Sequence, residues 1–183
     1  MTMGDEMDRS GKPSAVGSAK PEAAACSFHV FVLWRKARPF RERILADLAR
    51  EFAVLERIDV KWPWWRTPAL LRAFYLDRRW VRWIKKAVTC GAWSFEAVLV
   101  RDDHPDIALQ REGECCAGEN RRIRAVKKKY RQWTGGLWRV HASATPEEAC
   151  YQYRFLAGRE LDAYKIAPRQ DGRMNMDCAE VKS

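Results

Sequence analysis

The residues best suited to chemistry lie in one stretch, Arg139-Val140-His141-Ala142-Ser143-Ala144-Thr145-Pro146-Glu147-Glu148-Ala149. Leu137 to Ala142 (LWRVHA) reads as a strand. Thr145-Pro146-Glu147-Glu148 then opens a helix, with threonine at the N-cap, proline at the first helical position and glutamate at the third. His141 thus stands at a strand end, just ahead of a capped helix. A phosphate group placed there meets free N–H groups and the positive end of a helix dipole. An imidazole beside it can serve as nucleophile or as general acid/base near pH 7. A lone histidine at a strand end is more often structural, so the elements that position it must carry the weight.

Those elements follow from the periodicity. Phe28 to Trp34 (FHVFVLW) is a β-branched and aromatic run, the pattern of a buried strand. Ile44, Leu45, Leu48, Ala49 and Phe52 then recur at steps of three and four, as on one helix face. Val54 to Lys61 alternates apolar and polar, as a half-buried strand does. Pro63, inside Trp62-Pro63-Trp64-Trp65, stops it. Two helical pieces follow, one lined by Leu70, Leu71, Phe74 and Tyr75, the other by Trp80, Val81, Ile84 and Val88, with Gly91 set to end the second. Phe95 to Val100 is a third strand, and residues 102–119 are a polar loop. Arg121 to Trp133 is a basic helix broken by Gly135-Gly136, and the strand bearing His141 comes next. In the last helix Ala149, Tyr153 and Leu156 face the core, and Gly158 ends it. Two split βαβ units around a helical pair predict an α+β fold, a ferredoxin-like βαββαβ sandwich whose antiparallel sheet is covered by helices. The first and fourth strands are expected as neighbours in the middle of that sheet.

Three collinear features resemble nucleoside diphosphate kinases. The stretch from His141 is similar to that family's His-Gly-Ser-Asp-Ser-x-Glu-Ser-Ala segment, whose histidine carries a phosphoryl group between nucleotides. In the family a lysine ends the first strand, sixteen residues before a helix-ending phenylalanine, as Lys36 precedes Phe52 here. Its helical hairpin carries a tyrosine, then Asp-Arg-Pro-Phe, then a glycine thirteen residues past the arginine. Here Tyr75 is followed by Asp77-Arg78-Arg79-Trp80, and Gly91 lies thirteen past Arg78. The resemblance implies His141 as the phosphoryl carrier, with Ser143 beside it. Lys36, Tyr75, Arg78, Arg131 and Thr134 would face phosphates, and Trp80 would take the place of a base-stacking phenylalanine. It also implies Mg²⁺, which neutralises charge in phosphoryl transfer. Gln152 falls where the family has the acidic partner of its histidine, and Ala144 where it has an aspartate. The family's long loop before the catalytic strand has no counterpart, because Trp133-Thr134-Gly135-Gly136 leads directly into the strand.

The chain has 183 residues, with 34 Lys or Arg, 24 Asp or Glu and a formal net charge of +10. Residues 1–27 and 165–183 are rich in Gly, Pro, Ser and charge without apolar period, and are expected to be disordered. Together they hold seven basic and seven acidic residues, so the whole excess sits on the expected kinase-like domain, residues 28–164. Such a domain attracts phosphate: a nucleotide, a phosphosugar or another phosphorylated small molecule, or nucleic acid. Seven cations between Arg121 and Arg131 add a phosphate-contacting patch to those options. Tyr130, Trp133 and the Trp62–Trp65 cluster are stacking candidates, although tryptophan is usually buried. That cluster also suits a membrane surface, a partner protein or a second copy of the chain. No segment reaches the ~18 apolar residues of a membrane span. The six cysteines, including adjacent Cys115 and Cys116, lack Cys-x-x-Cys spacing and suggest free thiols in a reducing cytoplasm. Two alternatives to phosphoryl handling stay open, a non-catalytic phosphate- or protein-binding module and a basic nucleic-acid-binding protein.

Overall fold

The computed structural model describes residues 26–76, 80–109, 118–136 and 138–162. The chain enters through β1 (Ser27–Trp34), buried along its whole length. Its side chains alternate: Phe28, Val30, Val32 and Trp34 point to one face, Phe31 and Leu33 to the other. A 3₁₀ turn (Arg35–Phe40) leads into α1 (Arg41–Glu51) and β2 (Ala53–Lys61). A helical pair follows, α2 (Thr67–Phe74) and α3 (Trp80–Cys90), then β3 (Ser94–Asp102). The last elements are α4 (Arg121–Trp133), β4 (Val140–Ala142) and α5 (Pro146–Ala157).

The sheet is antiparallel throughout, in the order β2-β3-β1-β4. Two split βαβ units produce this order, because each crossover skips one strand. The fold is therefore the expected ferredoxin-like α+β sandwich. Helices α2, α3 and α5 pack on one face of the sheet with Trp34, Phe95 and Leu99, and α1 and α4 on the other with Phe31, Leu33 and Val98. The first and fourth strands are neighbours, but β4 is at the edge and not in the middle. It is also shorter than expected. Arg139 is taken up by a turn in which its N–H reaches the Gly136 carbonyl at 3.3 Å, and pairing starts only at Val140.

Two helix faces differ from their sequence reading. On α3, Ile84 and Val88 face solvent, at 44% and 67% exposure, while Trp83, Lys86, Ala87 and Cys90 turn inward. The Trp83 ring lies flat on Tyr75, 4.7 Å between centroids and 8° apart, so the helix buries the larger aromatic surface. On α1 it is Asp47, not Ala49, that is buried, because the Tyr130 hydroxyl donates to it at 2.8 Å and Arg50 pairs with it. The tryptophan cluster also divides. Trp62 packs on Phe95 at 4.7 Å, whereas Trp64 and Trp65 stand 76% and 67% exposed.

The expected caps of α5 and α3 are in place. The Thr145 hydroxyl accepts from Glu148 N–H at 3.3 Å, and Gly158 closes α5 at φ 68°. Gly91 ends α3 at φ 64°, where a Cβ would also come within 3.0 Å of Arg35. At the start of α4 the Asn120 side chain accepts from the N–H groups of Arg122 (3.0 Å) and Ile123 (3.5 Å) and donates to Asp102 at 2.9 Å. Asn120→Ala is expected to destabilise the fold by about 1–2 kcal/mol, lowering the urea midpoint without changing the slope. The expected disordered ends, apart from residues 26–27, and the Cys115-Cys116 pair lie outside the described residues. Among the described residues Cys90 is a free thiol, and no helix is long and apolar enough to cross a membrane.

Candidate functional site

β4 sends Val140 and Ala142 into the α1/α4 face, so His141 between them points to the opposite face. There its ring meets Tyr75 edge-on at 4.9 Å and Phe74 at 5.8 Å. From α5, about two turns past the cap, Gln152 holds the ring Nε2: its Oε1 lies 3.1 Å away and its amide nitrogen 3.0 Å. The same amide nitrogen donates to Glu148 Oε1 at 2.8 Å, while Glu148 Oε2 accepts from Ala144 N–H at 2.6 Å. Glu148 therefore ties the helix cap to the amide that orients His141. Nδ1 has no hydrogen-bond partner among the described residues and is not sealed from solvent, although the residue as a whole is only 9% exposed.

Three cations surround this ring. Lys86, from the inward face of α3, donates to the Tyr75 hydroxyl and lies 3.9 Å from that ring's centroid. Lys127 and Arg131 reach round the open edge of the sheet from α4. Arg131 Nε donates to the Val140 carbonyl at 3.0 Å and Lys127 Nζ to the Ala142 carbonyl at 3.4 Å. They satisfy backbone groups that an edge strand leaves unpaired. Burial holds the His141 pKa well below its usual value, and the charges of Lys86, Lys127 and Arg131 push the same way against the hydrogen bond to Gln152. Burial, then the Arg131 charge, also lowers Lys127. The ring is therefore neutral at pH 7. It cannot act there as a general acid but keeps a lone pair.

Of the residues expected at the site, His141, Tyr75, Arg131 and Gln152 come together. Lys36 is exposed and lines cavities with Arg139 and Gly91, away from the contacts made by the ring. Thr134 is buried and its hydroxyl donates to the Tyr130 carbonyl at 3.0 Å. Ser143 is fully buried, and its hydroxyl accepts from Val30 N–H at 2.9 Å. Both side chains are committed to backbone groups. Arg78 and the Trp80 side chain lie outside the described residues. Lys86 and Lys127 were not singled out from the sequence. A lysine in the same helical row as Trp83 and Cys90 is the signal that would have found Lys86.

Of the stacking candidates, Tyr130 is wholly buried and Trp133 is covered by the Arg43 guanidinium at 3.9 Å. Beside α4 a cavity of about 590 Å³ is lined by Arg124, Lys127, Lys128, Arg131, Gln132 and the two glycines. Among the described residues no three His, Cys, Asp or Glu side chains group to hold a metal ion. The groups around His141 are mostly cationic. Mg²⁺ does not fit a protein-held site there.

Fold and site together define an α+β ferredoxin-like sandwich with a neutral histidine at its open sheet edge, ringed by cations. No family model and no curated protein matches the chain. Among solved structures it is similar to the Aquifex aeolicus nucleoside diphosphate kinase in an orthorhombic crystal form. The identity is 15%, over 72% of this chain and 94% of that one, with a TM-score of 0.47.

Proposed function

We propose that the chain handles a phosphoryl group of a nucleotide or phosphosugar, with His141 as its acceptor. The observation that carries this reading is a neutral ring whose Nε2 is held by Gln152, whose Nδ1 is unpartnered, and around which Lys86, Lys127 and Arg131 converge. With the ring proton on Nε2 and donated to Gln152 Oε1, the lone pair is on Nδ1. Attack by Nδ1 on a terminal phosphorus forms an N–P bond and breaks the bridging P–O bond, whose electrons leave with the shortened phosphate. Lys127 and Arg131 would neutralise the non-bridging oxygens, and Lys86 would hold the Tyr75 hydroxyl toward them. Mg²⁺ is proposed only as a companion of the ligand's own phosphates.

A second reading, binding without transfer, draws support from Gln152. A neutral amide stabilises the positive charge of a phosphorylated imidazole less than a carboxylate would. The two readings separate on one experiment. After incubation with γ-labelled ATP, transfer predicts a label on the protein that acid removes and alkali does not. Nucleotide binding without any label would leave the binding module. Under either reading Arg131→Ala is expected to weaken nucleotide binding by about 1–3 kcal/mol, roughly 5- to 150-fold by calorimetry, as befits a charge-assisted bond to phosphate.

A further inference from the structure

The cations beyond the His141 shell follow a line. A second cavity, of about 340 Å³, is lined by Lys36, Lys85 and Trp138, and shares Gly135 and Gly136 with the 590 Å³ cavity beside α4. A third, of about 350 Å³, is lined by Arg35 and Trp93, and shares Lys36 and Arg139 with the second. The shared residues make the three cavities neighbours along one groove-like surface, and no carboxylate lines any of them. Other cations of α4 are matched: Arg121 pairs with Asp106, Arg122 with Asp102, Lys129 with Glu51, and Arg124 and Lys127, which line the first cavity, with Glu119. In the groove, Arg35, Lys36, Lys85, Lys128, Arg131 and Arg139 have no carboxylate partner among the described residues. Where the first two cavities meet, Gly135 and Gly136 present backbone alone.

We propose that this groove binds single-stranded nucleic acid. Six unmatched cations spread over three neighbouring cavities suit a chain of phosphates better than one small anion. Trp93 and Trp138 are half-buried in the groove walls, with the Arg35 guanidinium 5.4 Å over the Trp93 ring, and an indole exchanges such a contact for a base only when the base is unpaired. The groove includes the cavity lined by Lys127 and Arg131, yet occupying it requires no chemistry at His141. It is therefore independent of phosphoryl transfer.

The test is anisotropy of a fluorescein-labelled oligothymidylate of about twelve nucleotides, titrated with the full chain at several salt concentrations. About five phosphate contacts predict a log–log salt slope near −3.5, a loss of roughly 100-fold between 50 and 200 mM salt. Tryptophan fluorescence should fall on binding, and less so in Trp93→Leu. The double variant Arg35→Ala/Lys85→Ala should flatten the slope by about 1.4 while leaving any His141-dependent labelling unchanged. His141→Asn should retain the oligonucleotide. No binding at 50 mM salt would overturn the proposal. So would a duplex bound as tightly as the single strand, inorganic polyphosphate of equal length bound as tightly with the same fluorescence change, or an unchanged slope in the folded double variant.

Discussion

His141→Asn will take up no acid-labile label from γ-labelled ATP, a loss of at least about a thousandfold against the unaltered chain, and will still bind nucleotide within about tenfold. The split follows from the geometry. The phosphate-facing charge resides on Lys86, Lys127 and Arg131, which belong to α3 and α4 and stay in place when the ring is removed. The ring contributes the Nδ1 lone pair, which acts only on the barrier to transfer. Asparagine keeps a polar side chain opposite Gln152, so the Glu148–Gln152 hydrogen bond and the α5 cap should survive. Circular dichroism and the urea midpoint check that the fold has. Label persisting on the asparagine variant would place the acceptor elsewhere. Loss of affinity in step with loss of label would mean that the ring binds the phosphate and does not accept it.

How much of this was legible differs from residue to residue, for physical reasons. The α5 cap is written locally in Thr145-Pro146-Glu147-Glu148, and it fixes where β4 must end, so His141 at a strand end was readable. Gln152 opposite it came only through the family resemblance, as the position where that family has the acidic partner of its histidine. Lys86 was not readable, because its place depends on which face of α3 turns inward. Ile84 and Val88 form an apolar row of their own, and only the stacking of Trp83 on Tyr75 decides against them. Lys127 was hidden among seven cations, since which of them bends round the sheet edge depends on the length of β4. That the first and fourth strands are neighbours was readable, because split βαβ units leave few alternatives. The edge position of β4 went unread for the same reason that Lys36 did. Both depend on where the chain emerges from a turn, and turn geometry is set by contacts distant in sequence, such as the 3.1 Å bond from Trp34 N–H to the Arg139 carbonyl.

Below about pH 6.5 the fold will lose stability as the pH falls toward 5, at a slope approaching about 1.4 kcal/mol per pH unit from His29 with a further loss from His141, and His29→Gln will remove the first part. His29 is fully buried on β1. Its Nδ1 faces the Ser143 carbonyl at 3.2 Å, and its Nε2 faces the Ser27 hydroxyl at 3.1 Å and the Asn120 amide at 3.4 Å. A neutral ring that donates from Nδ1 and accepts at Nε2 satisfies all three. A protonated ring would turn a second N–H toward the Asn120 donor inside the core. Burial accordingly lowers its pKa to about 4, against the opposing pull of the Ser143 carbonyl and Asp102. The sign follows: the unfolded chain takes up this proton near pH 6.5 and the folded chain not until about pH 4, so stability present above pH 6.5 drains away as the pH falls. Each such histidine contributes up to about 1.4 kcal/mol per pH unit, and His141, depressed in the same direction, supplies the second proton. The paired carboxylates Asp47 and Glu96 add to the loss only at lower pH, because their unfolded forms titrate below 5. Urea titrations at half-unit steps from pH 7 to 5 measure the slope directly. A flat profile over that window would mean that neither ring is held neutral by the fold. An unchanged slope in a folded His29→Gln variant would mean that the first part belongs to another group.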